Sequence, residues 1–336
     1  NFNNFAIYKV PKSRVKFVPS IVPAVTVPVK FKTKPIFLHD IYDEKFNPDG
    51  AFDKDKARFV CGETKKNTTL LDSEKSTPTP SPQSILLNVA IAKSEKRKVR
   101  TWDVKSAFLK APVKRELYVR VSSSIVKVLL SMDPEAYKPH ILPDGTMWAR
   151  VLKALYGAGD ASKLWHSLVH DTLTKHAFVV NPYDRCVFNR IYKGHQLTAN
   201  VHIDDFLGSS KLDEALDFLW AILIDAFTSV KQTTGSVIGY LGKQFNFEND
   251  DYVSVTAPKF VNGVLEFYNV TDFADYPHSP DMRVINDLPR LESSKAAMFY
   301  SLAYKLLYLA KSYRFDMLPI AQFLTTRVQF STEHSL

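Results

Sequence analysis

Two spacings of apolar residues divide this chain into strands and helices. Residues 1–34, punctuated by Pro11, Pro19, Pro23 and Pro28, keep neither spacing and predict a linker, with order expected from Ile36. Pro48-Asp49-Gly50 then turns the chain between two arms able to pair as a hairpin, and the returning arm carries Lys56 and Arg58 among apolar residues. Residues 64–81, rich in Thr, Ser, Lys and Pro, predict a loop. Ser81 and Pro82 then supply the cap and first position of a helix with Ile85, Leu86, Val89 and Ala90 on its buried face. A strand ends at 100–104, Leu117, Val119 and Val121 alternate as another, and a third fills 146–155. Helical spacing returns at Leu164, Trp165, Leu168 and Val169. Residues 186–192 and 197–203 predict a hairpin, after which Ser210 caps a helix through Leu212, Leu216, Leu219 and Leu223. A strand at 237–242 follows, then a hairpin turning at 248–251. Pro258 opens a helix with Phe260, Val261, Val264 and Leu265 inward, and two apolar helices over 293–328 join around 313–316. No internal repeat is visible.

The stretch that changes the picture is 197–209, LTANVHIDDFLGS. Neighbouring strand residues point to opposite faces, so Asp204 and Asp205 serve one site only if the backbone turns there. Two carboxylates so placed repel, and a divalent cation relieves the repulsion. A solvated surface turn is the bland alternative, but Val201, Ile203, Phe206 and Leu207 flank the pair with apolar residues. Asp103, where an apolar strand gives way to a helical turn, is the third acid: a metal ligand or a plain N-cap. Gly157 and Gly159 mark either close approach of backbone to a ligand or a turn. Lys56 and Arg58, and the run Lys93, Lys96, Arg97, Lys98 and Arg100, read most simply as solvated charge. His195 and His202 lack zinc-site spacing and read as structural.

Length and charge narrow this further. The 336 residues allow two or three subdomains, and 44 cations against 35 acids give a net +9, which suits a polyanionic partner. Cys61 and Cys186 alone exclude a disulfide framework and a cysteine-rich zinc site, and they fit a reducing compartment. No apolar run reaches the length of a membrane span. With Asn first and no signal pattern, the chain is expected to be part of something longer.

Seven words then occur in order: KFNPDGAFDKDKARFV (45–60), RTWDVKSAFLKAPV (100–113), LKALYGAGDASKLW (152–165), NPYDRCVFN (181–189), VHIDDFLGS (201–209), YLGKQF (240–245) and KLLYLAKSYRFDMLPIAQFLTTRVQ (305–329). Through them the chain resembles, over roughly 36–336, the reverse transcriptase domain of copia-type LTR retrotransposon Pol polyproteins. The resemblance implies an α+β right-hand polymerase fold, with fingers, a palm of antiparallel sheet and packed helices, and a partial thumb. It divides the chain into a linker (1–34), fingers and palm (35–257), a thumb-like region (258–290) and the helical start of a connection (291–336).

By the same resemblance Asp103, Asp204 and Asp205 are the catalytic, metal-binding acids for two Mg²⁺ ions, with Mn²⁺ as a substitute. Val104 offers a backbone carbonyl, and Phe108 matches the aromatic gate that closes against a ribose 2′-hydroxyl. Lys56 and Arg58 resemble cations that meet the triphosphate, and Tyr156 and Gly157 a loop contacting template and nucleotide. Tyr240, Leu241 and Gly242 resemble the primer grip. The implied partners are an RNA or DNA template with primer, deoxynucleoside triphosphates, and the rest of the polyprotein, with integrase upstream and RNase H downstream. No membrane is implied. The implied location is a cytoplasmic virus-like particle, with nuclear entry as an element complex.

The implied activity is RNA-directed DNA polymerisation. The alternative is a decayed or repurposed copy that binds nucleic acid without polymerising. Residues 158–163 keep that alternative open: they read Ala-Gly-Asp-Ala-Ser-Lys where most copia-type copies carry Leu-Lys-Gln-Ala-Pro-Arg. His202 and Phe315 also depart from the family's commonest residues, Tyr and Pro.

Overall fold

The computed structural model describes residues 21–24, 26–46, 52–273, 275–276, 283 and 288–333. Its strands are β1 (Ile21–Pro23), β2 (Ile36–Phe46), β3 (Phe52–Cys61), β4 (Lys98–Val104), β5 (Tyr118–Val121), β6 (Met147–Val151) and β7 (Val179–Val180). They continue as β8 (Val187–Tyr192), β9 (His195–His202), β10 (Asp205–Ser210), β11 (Val230–Thr233), β12 (Val237–Tyr240), β13 (Lys243–Asn246) and β14 (Ser254–Thr256). The helices are α1 (Val29–Thr33), α2 (Asp72–Lys75), α3 (Pro82–Ser94), α4 (Ser123–Met132) and α5 (Pro134–Tyr137). After them come α6 (Ala161–Lys175), α7 (Asp213–Phe227), α8 (Pro258–Phe267), α9 (Ser293–Ser312) and α10 (Leu318–Arg327). The class is α+β, as the sequence leads one to expect.

Two compact units form, and the chain visits each three times. The first holds residues up to Thr79, Val104–Val179 and Ala221–Val230. The second holds Pro80–Asp103, Val180–Trp220 and Lys231–Leu336. Consecutive segments such as 35–257 and 258–290 therefore do not coincide with these units.

The first unit is built on a five-stranded sheet in the order β1-β6-β5-β2-β3. The β2–β3 hairpin forms as the sequence predicts, although its Pro48-Asp49-Gly50 turn lies outside the described residues. The linker expectation is corrected over 21–34. Ile21 pairs with Val151, and Val27 and Phe31 are buried with Tyr118 and Trp148. Pro23 ends an edge strand and Pro28 stands at the N-cap of α1, positions where proline interrupts nothing. The prolines suggested irregularity, while tertiary burial of Val27 and Phe31 supplied the order. The expected loop at 64–81 likewise contains one short helix, α2.

The second unit carries a six-stranded sheet, β11-β4-β10-β9-β8-β7, and a three-stranded one, β12-β13-β14. Helix α3 begins as predicted: Ser81 Oγ accepts from the Ser84 amide at 3.0 Å, with Pro82 at the first position. Its buried face is Ile85, Asn88, Val89 and Ala92, and Ala90 is exposed. Periodicity assigned the apolar residue to the core because it cannot see that Asn88 has partners there. The predicted 237–242 strand stops at Tyr240, since Leu241 and Gly242 have positive φ and turn the chain into β13. In α8 only Val264 of the expected inward set is buried, and Leu265 is exposed. The two helices over 293–328 form and share a small core of Phe299, Ala303, Ile320 and Leu324.

Candidate functional site

Strands β9 and β10 form a tight hairpin in the second unit. Asp205 is the register partner of His202, leaving Ile203 and Asp204 as the turn. The hairpin is anchored by Val201, Phe206 and Leu207, all buried. Ile203 sits at φ 53°, a left-handed conformation that a β-branched residue adopts only when its surroundings enforce it. That turn solves the geometric problem of adjacent aspartates: Asp204 stays at the tip while Asp205 enters the strand.

On its other edge β10 pairs with β4, and Asp205 lies directly opposite Asp103. Opposed residues in an antiparallel pair share a face, with Cβ atoms about 4.5–5.5 Å apart. Two carboxylates far apart in sequence therefore meet at one sheet end, beside the turn that carries the third. Packing beneath them is close. A Cβ on Gly208 would come within 2.6 Å of the Trp102 ring, so glycine there lets the indole lie against the hairpin. Trp102 Nε1 in turn donates to Gln232 Oε1 at 2.8 Å. Behind the hairpin, Ser209 Oγ donates to Asn88 Oδ1 at 2.6 Å and Asn88 Nδ2 to Asn200 Oδ1 at 2.5 Å.

Burial, then the charge on Asp204, then that on Asp103, push the Asp205 carboxyl up to about 6. Asp103 itself is exposed and Asp204 half-buried. Among the described residues, no group of three or more His, Cys, Asp or Glu side chains is placed so that it could hold a metal ion as it stands. The three aspartates are like charges, and those of Asp204 and Asp103 both act on Asp205. Tyr240, an expected primer-grip residue, is buried, and its hydroxyl donates to the Asn200 carbonyl at 3.4 Å. Burial first and the Asp205 charge second raise that hydroxyl's pKa. Leu241 is half-buried and Gly242, at φ 75°, is exposed in the turn.

In the first unit three other expected residues come together. The Phe108 and Tyr156 rings lie 5.0 Å apart and tilted, and the Arg58 guanidinium stands 5.8 Å from the Tyr156 ring. The side chain of Lys56 lies outside the described residues. Val104 buries its side chain completely, so only its backbone is available to a ligand. The Tyr156 carbonyl accepts from the Cys61 amide at 2.6 Å, and Gly157 has φ 79°. A Cβ at Gly157 would lie 2.2 Å from the Cys61 carbonyl oxygen. The close approach that this glycine permits is therefore to strand β3 of the same unit.

Sequence reasoning missed the network under the departing loop. Arg115 forks onto Asp160 at 2.9 and 3.1 Å and onto Glu63 at 2.7 and 3.1 Å. Glu63 also accepts from the Gly159 amide at 2.9 Å and from Thr68 Oγ1 at 2.6 Å. Burial works to raise the Glu63 carboxyl, yet the bonds from Arg115, Thr68 and Gly159 hold it below its ordinary value. No local pattern announces these pairs, since their members are scattered along the sequence.

Comparison with known proteins gives the family. The family model described as reverse transcriptase (RNA-dependent DNA polymerase) matches residues 24–279. The retrovirus-related Pol polyprotein from transposon RE2 of Arabidopsis thaliana is 26% identical over 191 residues, 56% of this chain. The chain spans 12% of that relative's length. A foamy viral protease-reverse transcriptase solved with double-stranded DNA aligns over 93% of this chain and 46% of its own, at 13% identity and a TM-score of 0.42. An apo telomerase from Candida tropicalis aligns over 70% of this chain and 57% of its own, at 9% identity and a TM-score of 0.36. At those scores the assignment rests on the family match instead. That match covers well over half of the sequence, including all three aspartates, and the chain belongs to the reverse transcriptase (RNA-dependent DNA polymerase) family.

Proposed function

We propose that this chain is the catalytic domain of an RNA-directed DNA polymerase from a copia-type element, with Asp103, Asp204 and Asp205 as its metal-binding acids. Reverse transcriptases generally use divalent metal ions. The single observation that carries the reading is the register of β10 on β4, which sets Asp205 opposite Asp103 beside the Asp204 turn. The donor set fits Mg²⁺. It is all hard oxygen, it is open to solvent and substrate phosphates, and its members repel one another without a cation. A pair of such ions, when bound, activates the primer 3′-hydroxyl and neutralises the leaving pyrophosphate.

The chain's own residues do the rest. Asp205, with its carboxyl near 6, is ionised at neutral pH and above. The Ile203 turn and the Asn88–Asn200–Ser209 bonds hold the hairpin rigid, so the carboxylates are positioned before substrate arrives. Arg58 and Lys56 are proposed to offset triphosphate charge, Tyr156 and Gly157 to contact nucleotide and template, and Phe108 to exclude the ribose 2′-hydroxyl. The turn at 240–242 is proposed as the primer contact, through its backbone, because the Tyr240 side chain is in the core. A net charge of +9 suits salt-sensitive, sequence-independent hold on template and primer. Integrase and RNase H neighbours in the polyprotein, and a cytoplasmic particle, belong to the same proposal.

Primer extension on an RNA template with Mg²⁺ and with Mn²⁺ tests it. The unaltered chain should extend the primer, and Asp204→Asn should abolish extension while template–primer affinity stays within about twofold. Full extension by that variant would remove the metal assignment.

A further inference from the structure

The basic run closing α3 and opening β4 takes no part in the chemistry above, yet it lines a cavity of roughly 670 Å³ in the second unit. Three of its five cations are engaged. Lys93 donates to the carbonyls of Phe247 and Asn249, Arg97 pairs with Glu95, and Arg100 pairs with Asp213 and Asp217. Lys96 and Lys98 are exposed, and among the described residues their side chains enter no hydrogen bond or ion pair. The lining acids are Asp213, already held by Arg100, and Asp250, so positive charge is in excess.

Lys96 is the informative residue. It occupies φ 54° at the end of α3, where its amide bonds the Lys93 carbonyl and the Arg97 amide bonds the Ala92 carbonyl. Glycine is favoured at such a helix terminus because a Cβ is strained there. A lysine thus stands where glycine would fold more easily, and it lines the cavity. A basic run can also act as an extended peptide signal. Here Lys98, Val99 and Arg100 are paired to Ser210, Ser209 and Gly208, with Val99 buried, so the segment is not free to be threaded into a receptor. Lys98 and Arg100, two apart on a strand, point the same way as a ladder of charge, which suits a repeating polyanion better than one compact triphosphate.

We infer that this cavity is a second nucleic-acid contact, binding backbone phosphates of a polynucleotide through Lys96 and Lys98. It stands about 17 Å along β4 from Asp103, since five residues separate Lys98 from it at about 3.3 Å each. Preferring a polynucleotide to other phosphates rests on the polymerase proposal.

The test measures affinity of the full chain for a labelled RNA–DNA template–primer between 50 and 200 mM salt. Lys96→Gly/Lys98→Gln should bind about fivefold more weakly at the upper salt and lose roughly 1.8 from the slope of log affinity on log salt, about 0.9 per phosphate contact. Lys127→Gln/Lys138→Gln, with the same charge change on exposed positions of the first unit, should keep the slope. Lys96→Gly alone should melt no lower than the unaltered chain while binding more weakly. A lower melting temperature would make the lysine structural and overturn the inference. An unchanged affinity and slope in the double variant would also overturn it, as would competition by free deoxynucleoside triphosphate that the double variant loses. If the unaltered chain fails to extend primers but the slope difference persists, the polymerase proposal fails and the contact stands. If it extends primers and the slopes agree, the reverse holds.

Discussion

Two groups of carboxylates in this protein live under opposite electrostatic conditions. At the β9–β10 tip, Asp205 is half-buried beside Asp204 and opposite Asp103, and burial and like charge push it up to about 6. Under residues 157–161, the Glu63 side chain is also buried, yet Arg115, Thr68 and the Gly159 amide hold it down. The second group is complete: each oxygen has a donor, and nothing needs to be added. In the first, the charges on Asp204 and Asp103 act with burial to raise Asp205. The difference separates a structural ion network from a candidate site, although both are merely acidic residues in the sequence.

The strongest way to break the comparison is to leave the complete group unfinished. Arg115→Ala strands two buried carboxylates and should cost about 3–5 kcal/mol in denaturant unfolding. A loss below about 1 kcal/mol would mean that the network is not what holds the loop.

Stability against pH sharpens the contrast, because the two groups predict opposite slopes. Asp205 has a folded pKa above its unfolded one, so the folded state binds the extra proton. Its contribution is present at low pH and is lost as pH rises from about 4 through about 6. Glu63 has a depressed folded pKa, so its contribution is present above about 4.5 and is lost as pH falls. Melting curves of Asp205→Asn and Glu63→Gln, each subtracted from the unaltered chain, should tilt in opposite directions across this window. Parallel tilts would contradict the assignment.

The smallest effect should come from the turn itself. Ile203→Gly removes the left-handed strain and should gain about 1 kcal/mol from that source, less what glycine loses in unfolded-state freedom. A destabilisation beyond about 1 kcal/mol would show instead that the isoleucine side chain anchors the hairpin.

How much of this was legible in the sequence follows from range. The hairpin arms, the Ser81 cap and the α9–α10 pair were legible because turn residues, caps and periodicity are local signals. That the two aspartates needed a turn was also readable, because side chains alternate along a strand. Asp103 stood out at its strand end, as a metal ligand or a plain N-cap, and the structure supplies the register that sets it opposite Asp205. Three things were illegible. Residues 21–34 read as irregular because what orders Phe31 is Tyr118 and Trp148, far along the chain. The buried face of α3 was read from apolar residues alone and left out Asn88, because its partners, Asn200 and Ser209, lie on other elements. The Arg115 network explains how Gly159 and Asp160 are accommodated in the departing loop, and it too is visible only when distant residues meet.

The most direct test is the titration of Asp205 followed by carboxyl-selective NMR on the full chain with template–primer and a non-extendable nucleotide. Without divalent ions the carboxyl should titrate near 6, and saturating Mg²⁺ should move it well below its ordinary range, with Asp103→Asn weakening the shift. A carboxyl that still titrates near 6 in saturating Mg²⁺ would contradict the proposal that these three aspartates bind a divalent cation.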